Sequence, residues 1–161
     1  MNTRWSNAQV ATIVVLASLI VGTSAHGQQP TPSPATAENV IRLTPAELTW
    51  TAGPPMLPPG AMMAVIEGSF ATPGPFTVRL KFPANYRIPA HWHPVKVTVT
   101  VISGTFHMGL GDELDTTKGK TLPAGSVFEM PAKIHHFGWT REETIIQEHG
   151  VGPLSVNYLR P

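Results

Sequence analysis

Between positions 41 and 161 no stretch of about 12 residues carries a 3.6-residue apolar period, whereas residues 76–82 (FTVRLKF) alternate without a break. Phe76, Val78, Leu80 and Phe82 interleave with Thr77, Arg79 and Lys81, the pattern of a strand with one buried face. Turn formers are dense, with 17 Pro and 14 Gly in 161 residues, which argues against a helical bundle. Further strands are expected over residues 61–67, 95–102, 105–110, 127–130, 135–140, 144–149 and 154–159, with a polar loop over 111–125. Thr44-Pro45-Ala46-Glu47 matches a capping box and predicts one short helical turn. The fold class expected is all-β, a sandwich or small barrel of short strands preceded by that turn.

Residues 1–25 read as an export signal. Arg4 supplies the positive start, and an uncharged, mostly apolar run over 10–21 follows. The run is shorter than the roughly 20 residues a membrane span needs, and small residues lead to a cleavage position at Ala25. The location expected is periplasmic or secreted; the alternative is an uncleaved anchor, the only membrane contact foreseen. Residues 26–40 read as a Pro-rich linker and 41–161 as a single domain. His26, exposed as a new N-terminus, either chelates copper through its amine and imidazole or simply begins the linker.

Several chemistries are excluded by inventory. A formal net charge of +1 without a basic stripe gives no basis for nucleic-acid binding. The chain has no Cys, so disulfides, Cys-ligated zinc and thiol catalysis are absent. There is no G-x-S-x-G elbow, no Gly-rich phosphate loop before a helix and no H-E-x-x-H helix.

The histidines are the informative polar residues. Six of the seven fall between positions 91 and 149. His91 and His93, two apart in a strand, project on one face and can converge on one ion. His135 and His136 are adjacent, so only one of them can face the same side. Neutral imidazole suits zinc, iron, copper and nickel. His107 and His149 are single.

The spacing of these residues resembles the two motifs of the cupin superfamily, small jelly-roll β-barrels with a metal site in the lumen. The first motif runs Gly, five residues, His-x-His, three or four residues, Glu, six residues, Gly. His91, His93 and Gly104 match it, Asn85 stands at the first Gly and Val97 at the Glu. Asn tolerates positive φ, so the turn can survive. The second motif runs Gly, five residues, Pro-x-Gly, two residues, His, three residues, Asn. Gly125, Pro131 and His136 match, while Lys133 and Thr140 replace the second Gly and the Asn. The resemblance spans about residues 76–159 and implies a cupin-type jelly-roll β-barrel of the small bacterial single-domain kind. It implies His136 as the third ligand beside His91 and His93.

Without the motif Glu, three imidazoles would hold one divalent metal and leave positions for water or substrate. Fe(II) is favoured over Zn, Cu, Ni or Mn. Val97 would be an apolar wall where the carboxylate would sit. If charged Glu148 points outward, Gln147 and His149 point into the barrel as substrate-pocket residues with Val97. Glu129 is a candidate replacement carboxylate. Lys96 should face solvent; His107 and His135 should be outward or merely packed. Trp50, Trp92 and Trp139 either pack or edge a pocket. The function expected is an exported metal-binding cupin that oxidises a small organic molecule in dioxygenase fashion. The alternative is a non-catalytic ligand-binding, metal-binding or sensor cupin. The partner expected is a small-molecule ligand, with no nucleic acid, and a homodimer stays open.

Overall fold

The computed structural model describes residues 40–159; the expected signal, His26 and the linker as far as residue 39 lie outside the described residues. Among the described residues one 3-10 turn, Pro45–Glu47, comes first. Thr44 and Glu47 close the capping box on each other, the Thr44 backbone N–H and hydroxyl each donating to Glu47 Oε2 at 2.7 Å. Strands follow in chain order: β1 (Thr51–Ala52), β2 (Met62–Gly68), β3 (Gly74–Phe82), β4 (Arg87–Trp92), β5 (Val97–Ser103) and β6 (Thr105–Leu110). Then come β7 (Lys120–Pro123), β8 (Val127–Met130), β9 (His136–Thr140), β10 (Thr144–Gly152) and β11 (Asn157–Tyr158).

The strands form two antiparallel sheets, one in the order β1-β2-β3-β10-β5-β8 and the other β11-β4-β9-β6-β7. The long β10 lies between β3 and β5, distant from it in sequence, so the chain crosses over as in a jelly roll. Alternation builds the core as the sequence requires. Phe76, Val78, Leu80 and Phe82 of β3, with Val97, Val99 and Val101 of β5, turn inward. They pack with Ile88, Phe106 and Leu122 of the second sheet in one apolar cluster.

Three strands are additional to the sequence expectation: β1, only two residues long, β4 and β7. β4 contains Pro89, and its inward positions are not cleanly alternating. β7 is four residues long inside the segment expected as a polar loop; Leu122 is its one buried side chain. The expected strand over 154–159 is only the pair Asn157–Tyr158.

Two sharp turns explain two motif departures. Among the described residues, Asn85 (φ 60) and Lys133 (φ 66) are the non-Gly residues with positive φ, at the positions where the cupin motifs carry Gly. Gly104 (φ 70) closes the β5–β6 turn, and a Cβ there would meet the Glu143 carbonyl at 2.4 Å. Gly104→Ala should lower the unfolding free energy by about 1–3 kcal/mol, measured by urea denaturation.

Candidate metal centre

His91 and His136 are register partners across the antiparallel pair β4 and β9, so their side chains rise side by side. His93 lies one residue past the end of β4. Its carbonyl accepts the Lys133 N–H at 2.8 Å, which ties the positive-φ turn before His136 to the His-x-His segment. The ring centroids lie 4.1 Å (His91–His136), 4.9 Å (His91–His93) and 5.0 Å (His93–His136) apart. One nitrogen from each ring lies within 4.8 Å of the others.

Each ring is fixed from behind by a backbone carbonyl. His91 Nδ1 donates to Pro89 O at 2.7 Å, His93 Nδ1 to Ser155 O at 2.9 Å and His136 Nδ1 to Ile134 O at 3.0 Å. A carbonyl only accepts, so each Nδ1 carries the proton and each Nε2 keeps a free lone pair. Burial pushes the His91 imidazolium down to about 3, with His136 beside it adding to the effect. Burial likewise lowers His136 to about 4 and depresses His93. Three neutral imidazoles with converging lone pairs and no donor among themselves suit a divalent cation.

The histidines open on a cavity whose volume is ≈ 70 Å³. At roughly 10–15 Å³ per water-sized group, that holds about five to seven of them. Its wall is mostly apolar, with Val97, Val99, Met130, Ile146 and Phe128 among the lining side chains. Val97 is 2% exposed and is the apolar wall expected at the position of the motif carboxylate.

β10 is turned the opposite way from expectation. Thr144, Ile146, Glu148 and Gly150 face inward; Ile145, Gln147 and His149 face outward. Gln147 accepts from Arg79 Nε at 3.2 Å, and exposed His149 meets the Thr77 hydroxyl at 3.2 Å on the same outer face. Neither lines the cavity, so the expected substrate-pocket role is corrected for both. Glu148 lines it instead. The outward placement of Glu148 rested on charge alone. Packing decided otherwise, because the register that buries Ile146 and sets Gly150 against the Phe76 ring carries Glu148 inward with them.

The remaining candidates sort plainly. Glu129 faces solvent and pairs with Lys96 at 3.1 Å, so it replaces no ligand. His135 is on the surface and pairs with Asp112 at 2.7 Å. His107 is packed flat on Trp139, ring centroids 5.0 Å apart. Trp50 lies under Lys81 Nζ, and neither it, Trp92 nor Trp139 lines the cavity. Tyr158 was not singled out in the sequence; its ring lies 5.7 Å from His91 and its hydroxyl donates to Met56 O at 2.9 Å.

No protein-family model and no curated protein matches the sequence. Solved structures do match. The polyketide cyclase RemF from Streptomyces resistomycificus superposes with a TM-score of 0.59 at 12% identity, over 74% of this chain and 85% of its own. An acetylacetone dioxygenase from Acinetobacter johnsonii gives 0.57 at 18% identity, over 78% of this chain and 82% of its own. An RmlC-like cupin from Shewanella frigidimarina gives 0.53 at 16% identity, over 68% and 87%. The fold is that of the cupins. In this cupin fold the three histidines rise from β4, the residue after it and β9 toward the interior, and Val97 of β5 occupies the motif Glu position.

Proposed function

We propose that the protein is an exported cupin that holds one divalent transition metal through His91, His93 and His136 and acts on a small, mainly apolar organic molecule. The observation that carries this reading is the set of three buried imidazoles, each with its Nδ1 held by a carbonyl and its Nε2 free at the wall of a cavity. The acetylacetone dioxygenase and polyketide cyclase among the structural neighbours support chemistry on small oxygenated organic compounds. Fe(II) would supply dioxygen activation there, whereas zinc would supply Lewis-acid polarisation of a carbonyl. The chain's own part is to keep the three imidazoles neutral and oriented and to surround the substrate with apolar side chains that exclude water. Three neutral ligands leave the cation's charge uncompensated, so the site favours an anionic oxygen from the substrate.

A non-catalytic ligand binder or sensor is the second reading, and the loss of the motif carboxylate to Val97 favours it. Export is supported by the sequence of residues 1–25. The deciding experiment is metal analysis of the untagged protein, followed by oxygen uptake with small diketones and phenols after anaerobic Fe(II) loading. Near-stoichiometric metal is expected in the wild type. His93→Ala should weaken retention by more than about 100-fold, beyond what loss of a ligand's supporting partner costs. Unchanged metal content in His93→Ala sinks the assignment; metal without oxygen uptake favours the binder.

A further inference from the structure

Glu148 has no role in the ligand set. It is the one carboxyl among the residues lining the cavity, and it is 8% exposed. It lies outside the three-histidine cluster. Its register partners on either side are Val78 of β3 and Val99 of β5, both buried. The titratable groups that face the same cavity are His91, His93 and His136, from the opposite sheet. No hydrogen bond or ion pair satisfies the carboxyl among the described residues. A carboxyl buried without a partner costs stability that an apolar side chain in its place would not. Such a group, aimed into a cavity, is the arrangement found where a proton is to be moved.

We propose that Glu148 is the proton acceptor of this cavity, and that the substrate is a small carbonyl compound with an acidic C–H next to the carbonyl. The inference rests on the reading of the three histidines as a cation site. In a 1,3-dicarbonyl compound the two oxygens point one way and the central carbon the other. With the oxygens at the imidazole end, the acidic C–H is directed away from the histidines, into the part of the cavity that Glu148 lines. The C–H bond breaks and its proton forms an O–H bond on the Glu148 carboxylate. The electron pair passes into the carbonyl system, which leaves the compound as its enolate; nothing is oxidised or reduced. Desolvation raises the Glu148 carboxyl to about 7, which suits a group that must be ionised before the transfer and protonated after it. The cavity volume of ≈ 70 Å³ admits a compound of the size of acetylacetone.

The test is acetylacetone binding at pH 8 to zinc-loaded wild type and zinc-loaded Glu148→Gln. Zinc is measured in both, and protons released are counted by calorimetry in two buffers of different ionisation heat. Both proteins are expected to hold one zinc. The wild type should bind the probe with almost no proton released, and infrared difference spectra should gain a protonated-carboxyl band. Glu148→Gln should release about one proton per probe, lack that band, and bind about tenfold or more weakly through loss of the hydrogen bond to the enolate. Equal affinity and equal proton release in the two zinc-loaded proteins overturn the role of Glu148 and leave the metal reading intact. Failure of the zinc-loaded wild type to bind the probe overturns the proposal likewise. Absence of zinc from the wild type overturns both readings. Circular dichroism checks that Glu148→Gln keeps the fold, and the infrared band tests the proton acceptor in the wild type by itself.

Discussion

Zinc added to the metal-free protein at about a thousand times its Kd should raise the unfolding free energy by about 4 kcal/mol, since only the folded chain assembles the site. The chain prepares the site before any ion arrives. Pro89, Ser155 and Ile134 carbonyls fix the three tautomers, and the Lys133–His93 backbone bond joins the two ligand-bearing segments. Little ordering remains to be done on binding, so the ion's affinity appears as stability. In His93→Ala two imidazoles remain, and most of that gain should vanish at the same zinc concentration. Urea denaturation with and without zinc measures both. A gain as large in His93→Ala as in the wild type would place the ion elsewhere.

The histidine centre was legible in the sequence because its signals are local. His91 and His93 differ by two, and the turn positions before each ligand segment keep positive φ in Asn85 and Lys133 although neither is Gly. β3 and β5 were legible because each has one apolar face. β4 was not, because Pro89 interrupts it and its pairing with β9 is irregular between Ile88 and His91. β7 was hidden by its surroundings, since a strand with one buried residue leaves no period to read.

The orientation of β10 shows a different limit. Ile145 and Ile146 put an apolar residue on each face, so alternation cannot choose between them. Charge alone argues for Glu148 outward, yet the other register would separate two polar pairs, Arg79 with Gln147 and Thr77 with His149. The overlooked signal is Gly150. A Cβ there would lie 2.9 Å from the Phe76 ring, so this is where a residue without a side chain is required inside. Gly150 and Glu148 share a face, and the ring of Phe76 thereby fixes the carboxyl in the cavity.

That misplaced carboxyl should also mask the acid sensitivity of the histidines. In the metal-free protein His91 is lowered from 6.5 to about 3 and His136 to about 4, both mainly by burial. Below pH 6.5 the unfolded chain therefore binds protons that the folded chain refuses, and stability falls as pH falls. From pH 6.5 to 5 this amounts to about 2 kcal/mol for each ring, about 4 kcal/mol together, at 1.36 kcal/mol per pH unit. Glu148 has the opposite sign. Its carboxyl is raised from 4.5 to about 7, so between these values the folded chain holds a proton that the unfolded chain lacks. Its contribution grows as pH falls from 7 to 5, by about 2 kcal/mol. The wild type should therefore lose only about 2 kcal/mol between pH 7 and pH 5, whereas Glu148→Gln should lose about 4 kcal/mol. Above pH 7 the order should reverse, because the variant no longer buries an ionised carboxylate. Urea denaturation of both metal-free proteins at pH 5, 7 and 8 reads the difference. Parallel profiles would mean that Glu148 titrates as a solvated carboxylate and does not sit in the apolar cavity beside neutral histidines.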